Sequence, residues 1–171
     1  GVQTCALPIF IATDGLNARG GIHSYLDAVL PELVALEHEV HVVAPVFARR
    51  AAVEGAGGVA HTSYETVPTG VEGVIAFFDF SALEARAAYP SVPLVGVSHG
   101  PWYSQDVPTA LAQPCAVVAL SDTSLQRLLE SRAAGDGTPV VRLTQPAEFR
   151  TPPAANLPRA QPRHAVRSEE H

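Results

Sequence analysis

Strand-length apolar runs alternate with amphipathic helical patterns along most of this 171-residue chain. The runs are rich in Val, Ile and Leu, and they predict strands over residues 8–13, 39–44, 73–78, 93–98, 115–120 and 140–144. A strand that is apolar along nearly its whole length must be covered on both faces, which parallel strands connected by helices achieve. The alternation therefore predicts a mostly parallel sheet with helices on both sides.

The helical patterns complete this prediction. They predict helices over residues 22–37, 46–54, 81–88 and 122–133, and a further short strand is expected over 61–67. In the first helix, apolar side chains recur with helical periodicity, and Pro31 inside it predicts a kink or a split near Leu30. Elements in this order are typical of an α/β fold, a Rossmann-like doubly wound sheet that is mostly parallel.

The composition excludes several classes of function. The net charge is −6, only 16% of the residues are charged, and all 11 basic side chains are Arg. Nucleic-acid binding needs a clustered basic surface, so no nucleic-acid partner is expected. Without Lys, the chain offers neither a P-loop lysine nor a Schiff base. No run of 18 apolar residues occurs, and nothing indicates a membrane surface. With two cysteines there is no disulfide framework, which fits a cytoplasmic protein.

The two ends of the chain resemble translated sequencing-library adapters. Residues 1–9 read like one adapter and residues 167–171 like its reverse complement, and the chain contains no Met. The alternative is a native first strand and an ordinary polar tail. Under the adapter interpretation, a Rossmann-like domain covers residues 10–145 and a Pro-rich linker covers residues 146–166. The chain is then expected to be a fragment.

The loops that follow the strands are the candidate binding elements, because ligands of a doubly wound sheet gather at the carboxyl ends of its strands. The first of these loops ends in Gly20 and Gly21, where the backbone can approach a ligand and the next helix presents free N–H groups to an anion. A flexible turn is the simpler alternative. The loop contains no G-x-G-x-x-G, and the second strand ends in Ala44 and Pro45 rather than an acid, so no nicotinamide cofactor is expected.

His99 closes the strand over 93–98 and is followed by Gly100 and Trp102. Its imidazole can hydrogen-bond a sugar while the aromatic ring offers an apolar face. A half-buried His in a capped turn is the alternative. Because the strands are expected to lie close together, His99 is predicted to lie beside the Gly20-Gly21 loop.

Other polar side chains follow strands or flank them. Either Ser121 or Asp122 is predicted to cap the helix over 122–133. Asp79 is predicted to cap the helix over 81–88, with a position facing the cleft as the alternative. His38 and His41 flank the start of a strand, and too few ligands converge there for a metal site. No metal is therefore expected, and no D-x-D pair is present to hold a metal–nucleotide complex.

The order of these motifs resembles the N-terminal half of family-4-type glycosyltransferases. Five segments carry the resemblance. A glycine pair opens a helix at residues 20–26, a helix leads into an H-E-V-H-V strand at 33–45, and a strand ends in His-Gly at 92–100. A V-x-x-S strand with its helix follows at 117–129, and an exit strand at 140–152. The resemblance covers about residues 9–166. Departures occur at Glu37, where the family has glycine, at Phe78, where a His is frequent, and at Gln145-Pro146, where Asn-Gly is common.

The resemblance implies a GT-B fold, in which two Rossmann-like domains face a cleft and this chain supplies the acceptor-side domain. It implies transfer of a sugar from a nucleotide-sugar donor to a sugar or lipid acceptor, with retention of configuration and without a metal or other cofactor. His99 would be the catalytic residue that touches the transferred sugar. The residues that would bind substrate are Gly20, Gly21, Gly100, Trp102 and Ser121.

A second Rossmann-like domain with paired glutamates is expected after Val166, and it would hold most of the donor site. The fragment alone is therefore expected to be inactive. Two other classes of function stay open: another GT-B enzyme such as a nucleotide-sugar epimerase, and a non-catalytic α/β binding module.

Overall fold

The computed structural model describes residues 7–16, 21–100, 110–131 and 137–144. Within these residues, seven strands form one sheet in which every neighbouring pair is parallel. The strands are β1 (Pro8–Ala12), β2 (Glu39–Val43), β3 (Val59–His61), β4 (Gly73–Phe77), β5 (Leu94–Ser98), β6 (Ala116–Ala119) and β7 (Val140–Arg142). The prediction of a Rossmann-like α/β fold with a parallel sheet is confirmed.

The strand order is β3-β2-β1-β4-β5-β6-β7. The chain therefore builds outward from β1 in one direction and then returns to build outward from β4 in the other. Ile9 pairs with Val40 of β2 on one side and with Gly73 of β4 on the other. The loops after β1 and β4 diverge at this reversal, which is the place where doubly wound sheets bind ligands.

In the part of the chain that the structure describes, four helices cover the sheet: α1 (Gly21–Ala35), α2 (Arg50–Gly55), α3 (Asp79–Ala88) and α4 (Asp122–Ser131). Alternate strand residues face opposite sides. The side that packs against α1 and α2 buries Ile11, Val42, Phe77 and Val97. The side that packs against α3 buries Phe10, Ala12, Val74 and Ala76. Helix α4 contacts β6 and β7 through Leu128, which packs with Val117 and Val140.

Two predicted elements are wrong in extent because local hydrogen bonds compete with them. The predicted strand over 61–67 ends at His61, and a 3-10 turn covers Tyr64–Thr66 instead. Ser63 holds this turn, since its Oγ accepts from the Glu65 N–H at 3.3 Å. The predicted helix over 46–54 begins only at Arg50, because Leu16 exchanges backbone hydrogen bonds of 2.9 and 3.1 Å with the segment from Val46 to Ala48.

Of the kink or split predicted near Leu30, the split is wrong, because α1 is continuous through Pro31, and the kink stays a prediction. Pro31 removes the hydrogen bond to the carbonyl of Asp27, and both residues are exposed. Leu26 and Leu30 before it are buried in the same cluster against which Leu33 and Val34 pack after it. Burial on both sides of the proline therefore holds one helix.

Helix α1 ends in a Schellman motif with an unusual residue. The N–H of His38 donates to the carbonyl of Leu33 at 3.1 Å, and the N–H of Glu37 donates to that of Val34 at 3.0 Å. This motif places its C′ residue in the left-handed region, and Glu37 has φ 64°. Glycine is the residue that adopts this conformation without cost, and it is what the glycosyltransferase resemblance has here.

Residues 1–6, the linker over 146–166 and residues 167–171 lie outside the described residues. Pro8 and Ile9, within the adapter-like segment, belong to β1 and pair with β2. In the described part of the chain, no helix is both long enough and apolar enough to cross a membrane.

Candidate functional site

The candidate site lies at the carboxyl edge of the sheet, where His99 approaches Gly21. His99 directly follows β5, and Gly21 is the first residue of α1. A Cβ atom added to Gly21 would overlap Cε1 of His99 and lie 2.9 Å from its Nδ1, a separation that real Cβ atoms essentially never show. Only glycine fits at residue 21 with the imidazole in this position. The predicted proximity of His99 to the loop after β1 is confirmed at Gly21.

Two aromatic rings define the other sides of the imidazole. The ring of Tyr25, one turn into α1, has its centroid 6.2 Å from that of His99 at 76°. The ring of Phe77, at the end of β4, lies 6.3 Å away at 41°. Tyr25 and Phe77 also contact each other edge to face at 5.4 Å. Elements α1, β4 and β5 thus hold the imidazole jointly, and it stays half-buried at the sheet edge.

The first turn of α1 contributes backbone donors to this edge. The first N–H groups of a helix have no intrahelical acceptors, and the helix dipole adds partial positive charge there. His23 lies in this turn and is 8% exposed. Burial lowers the pKa of His23, as does the nearby Arg49, which favours the neutral ring at pH 7. No motif in the sequence distinguishes His23 as a site residue, because its burial follows from the packing of α1.

The other sequence-predicted residues have mixed outcomes. Gly100 is half-buried next to His99, whereas Gly20 and Trp102 lie outside the described residues. Ser121 caps α4, since its Oγ accepts from the N–H of Ser124 at 3.0 Å. The capping role predicted for Ser121 is confirmed, and its predicted contact with substrate stays a prediction.

The capping role predicted for Asp79 is wrong by one position. Asp79 is the first residue of α3, and Phe78 occupies the N-cap. Phe78 has φ 68° and ψ 152°, a conformation that costs a residue with a side chain about 1–3 kcal/mol. Its carbonyl accepts from the N–H of Ala82 at 3.1 Å, so this strained residue turns β4 directly into α3.

A polar contact that the sequence analysis missed joins the carboxyl end of β1 to α3. The hydroxyl of Ser81 donates to Oδ1 of Asp14 at 2.5 Å, and the hydroxyl of Tyr64 donates to the carbonyl of Ser81 at 3.4 Å. Burial raises the pKa of Tyr64, and Glu84 and Asp14 raise it further, so the phenol keeps its proton. Asp14 therefore fixes where the chain leaves β1. No sequence signal relates residues 67 positions apart.

Within the described residues, no three His, Cys, Asp or Glu side chains are placed to hold a metal ion. What this edge offers chemically is a positioned imidazole, a glycine that leaves its approach open and a helix N-terminus. Such a set can hydrogen-bond a polyhydroxylated ligand and attract an anion.

Comparisons with known proteins add no assignment: no protein-family model, no curated protein and no solved structure matches the chain. The class that the fold defines is a Rossmann-like α/β domain.

Proposed function

We propose that this chain is the acceptor-side domain of a cytoplasmic, retaining glycosyltransferase of the GT-B type. It uses a nucleotide-sugar donor as co-substrate, requires no metal and is inactive without a second Rossmann-like domain. The observation that carries the proposal is the approach of His99 to Gly21. It brings together, at one point of the sheet edge, two motifs of the resemblance that are 78 positions apart in sequence.

In this proposal His99 hydrogen-bonds a hydroxyl of the transferred sugar. An imidazole nitrogen can donate or accept, and the half-buried position weakens competition from water. The contact with Tyr25 and Phe77 fixes the ring before the sugar arrives. A hydrogen bond from a fixed group stabilises developing charge without reorganisation during the reaction.

The N-terminus of α1 serves the diphosphate of the donor. Its N–H groups and dipole attract an anion, and the close approach of His99 to Gly21 places the imidazole beside them. Gly20, Gly100, Trp102 and Ser121 complete the substrate surface in this proposal. His23 lies in the first turn of α1, and its lowered pKa favours the neutral ring. The ring therefore adds no positive charge beside Arg49.

Turnover by the full-length parent enzyme tests the proposal. The enzyme is incubated with a panel of nucleotide sugars and sugar or lipid acceptors, nucleoside diphosphate release is measured, and NMR gives the anomeric configuration of the product. We expect transfer with retention in the wild type and a severe loss in His99→Ala. Conversion of a nucleotide sugar without any acceptor would identify an epimerase instead. An absence of both turnover and nucleotide-sugar binding would leave the non-catalytic binding module and overturn the proposal.

A further inference from the structure

A chain of polar side chains, with two buried histidines between an exposed Glu and an exposed Thr, runs across the β2–β3 edge of the sheet, away from the candidate site. Oε1 of Glu39 lies 3.2 Å from Nε2 of His41, and Nδ1 of His41 lies 2.9 Å from Nε2 of His61. Nδ1 of His61 lies 2.9 Å from the hydroxyl of Thr66, which donates to the carbonyl of Ser63 at 2.9 Å. His41 is 2% and His61 9% exposed.

The last hydrogen bond determines the direction of the others. The Thr66 hydroxyl has one proton, and it is committed to the carbonyl of Ser63. Its oxygen must therefore accept from an N–H at Nδ1 of His61. A neutral His61 with its proton on Nδ1 has a lone pair on Nε2, and this lone pair accepts from Nδ1–H of His41.

The same reasoning limits how many protons the two rings can hold. With Nδ1 of His41 used as a donor, Nε2 of His41 carries a proton only when that ring is charged, and the carboxylate of Glu39 then faces it. One positive charge on His41 is thus compatible with every contact in the chain. The same charge on His61 is also compatible, because the proton between Nδ1 of His41 and Nε2 of His61 can belong to either ring. A charge on both rings is not, because two N–H groups would then face each other across 2.9 Å.

We propose that Glu39, His41, His61 and Thr66 form an acid-sensitive latch that fastens β3 and the turn at Tyr64–Thr66 to the sheet. The latch is closed while the two rings together carry at most one positive charge. A second proton, which charges both rings, removes the bond between them and places two like charges side by side in a buried setting. The edge strand then separates from β2.

The charges around the pair favour the closed state at neutral pH. Burial lowers the pKa of His61, and so do His41 and Arg50. Arg50, on α2, donates to the carbonyl of Ala60 in β3 at 2.8 Å and is itself paired with Glu54 at 3.3 Å. The turn contributes Glu65, which is exposed, and β2 contributes Glu39 on the far side of His41.

The pH window follows from the sign of the shift. A His whose pKa is lower in the folded than in the unfolded protein stabilises the fold above the unfolded value of about 6.5. That contribution is lost as the pH falls from there through the folded value. The loss is local, because β3 has three residues and pairs only with β2, whereas β1, β4 and β5 each have partners on both sides.

Amide hydrogen exchange on the 171-residue chain tests the latch, with β5 as the internal reference. Between pH 7.5 and 5, after correction for intrinsic rates, we expect the protection of β3 and the Ala44 amide, which donates to His61, to fall up to about tenfold per pH unit. Protection of β5 should stay constant. In His61→Gln, whose side chain does not titrate, the pH dependence should disappear, and in the control His38→Gln it should persist.

Nitrogen-15 NMR of the wild-type imidazoles gives a second readout that does not depend on a variant folding. At pH 7.5 we expect the proton of His61 on Nδ1. An unprotonated Nδ1 of His61 at pH 7.5, or protection of β3 that does not change between pH 7.5 and 5, would overturn the proposal.

Discussion

The imidazole of His99 occupies the space that a side chain at residue 21 would need. A Cβ on Gly21 would lie 2.9 Å from Nδ1 of His99. Residue 21, at the start of α1, must therefore be glycine as long as the imidazole of His99, which follows β5, keeps this position. This contact also provides a direct way to disturb the candidate site without touching His99.

Gly21→Ala should displace the imidazole. Overpacking of this kind costs about 1–3 kcal/mol, which urea unfolding measures, and the Cε1–H resonance of His99 should shift. Gly55→Ala is the matched control, because Gly55 is also helical and has no atom within 4 Å of an added Cβ. That variant should be neutral or gain up to about 1 kcal/mol. Equal stabilities for the two variants would show that the contact at Gly21 does not constrain the site.

His99→Ala in the full-length parent should lower kcat/KM by roughly ten- to several-hundred-fold, about 1.5–3.5 kcal/mol, if a sugar hydroxyl depends on this ring. Thermal unfolding should change little, since His99 is only half-buried. Normal turnover of the variant, or its unfolding, would assign His99 a structural role in the turn.

Glu37→Gly should stabilise the protein. Glu37 has φ 64°, and relief of this strain outweighs the greater freedom of glycine in the unfolded chain by about 1 kcal/mol. Glu37→Ala removes the same charge and keeps the strain, so it should not stabilise. Chemical denaturation of the three proteins separates the effects, and a gain in the Ala variant equal to that in the Gly variant would attribute it to charge instead.

At residue 78, a glycine variant should be more stable than an alanine variant, which is the reverse of their usual order of stability. Both Phe78→Ala and Phe78→Gly lose the packing of the ring against the α1 side of the sheet. At φ 68° and ψ 152°, however, only glycine is unstrained, so the Gly variant should be more stable than the Ala variant by about 1–3 kcal/mol. Ala28, in the middle of α1, is a control position where Gly should instead be the less stable residue by about 1 kcal/mol.

The parallel sheet was predictable because burial on both faces leaves a mark in the sequence. Strands β4 and β5 are apolar along nearly their whole length, and only helices on both sides allow this. The position of His99 relative to Gly21 was predictable for the same reason. Once the two residues are placed after the carboxyl ends of β1 and β5, which only β4 separates, the sheet brings them to one edge.

Several of the errors and omissions arise from side-chain hydrogen bonds, which have no periodic signature. The turn that replaces the predicted strand over 61–67 depends on Ser63. The contact of Asp14 with Ser81 joins residues whose sequence neighbours predict only a loop and a helix. The pairing of His41 with His61 depends on the pairing of β2 with β3, which brings together residues 20 positions apart in sequence.

The reversal of strand order also governs how the chain can assemble. Among the described strands, paired residues are at least 18 positions apart in sequence, as His41 and Val59 are. The sheet therefore cannot start from a hairpin. Ile9 and Gly73 are 64 positions apart. Such long-range pairing slows folding, because a long loop must close before any contact rewards it. During synthesis, the edge of β1 that pairs with β4 therefore stays unpaired until the ribosome has synthesised the chain through Phe77.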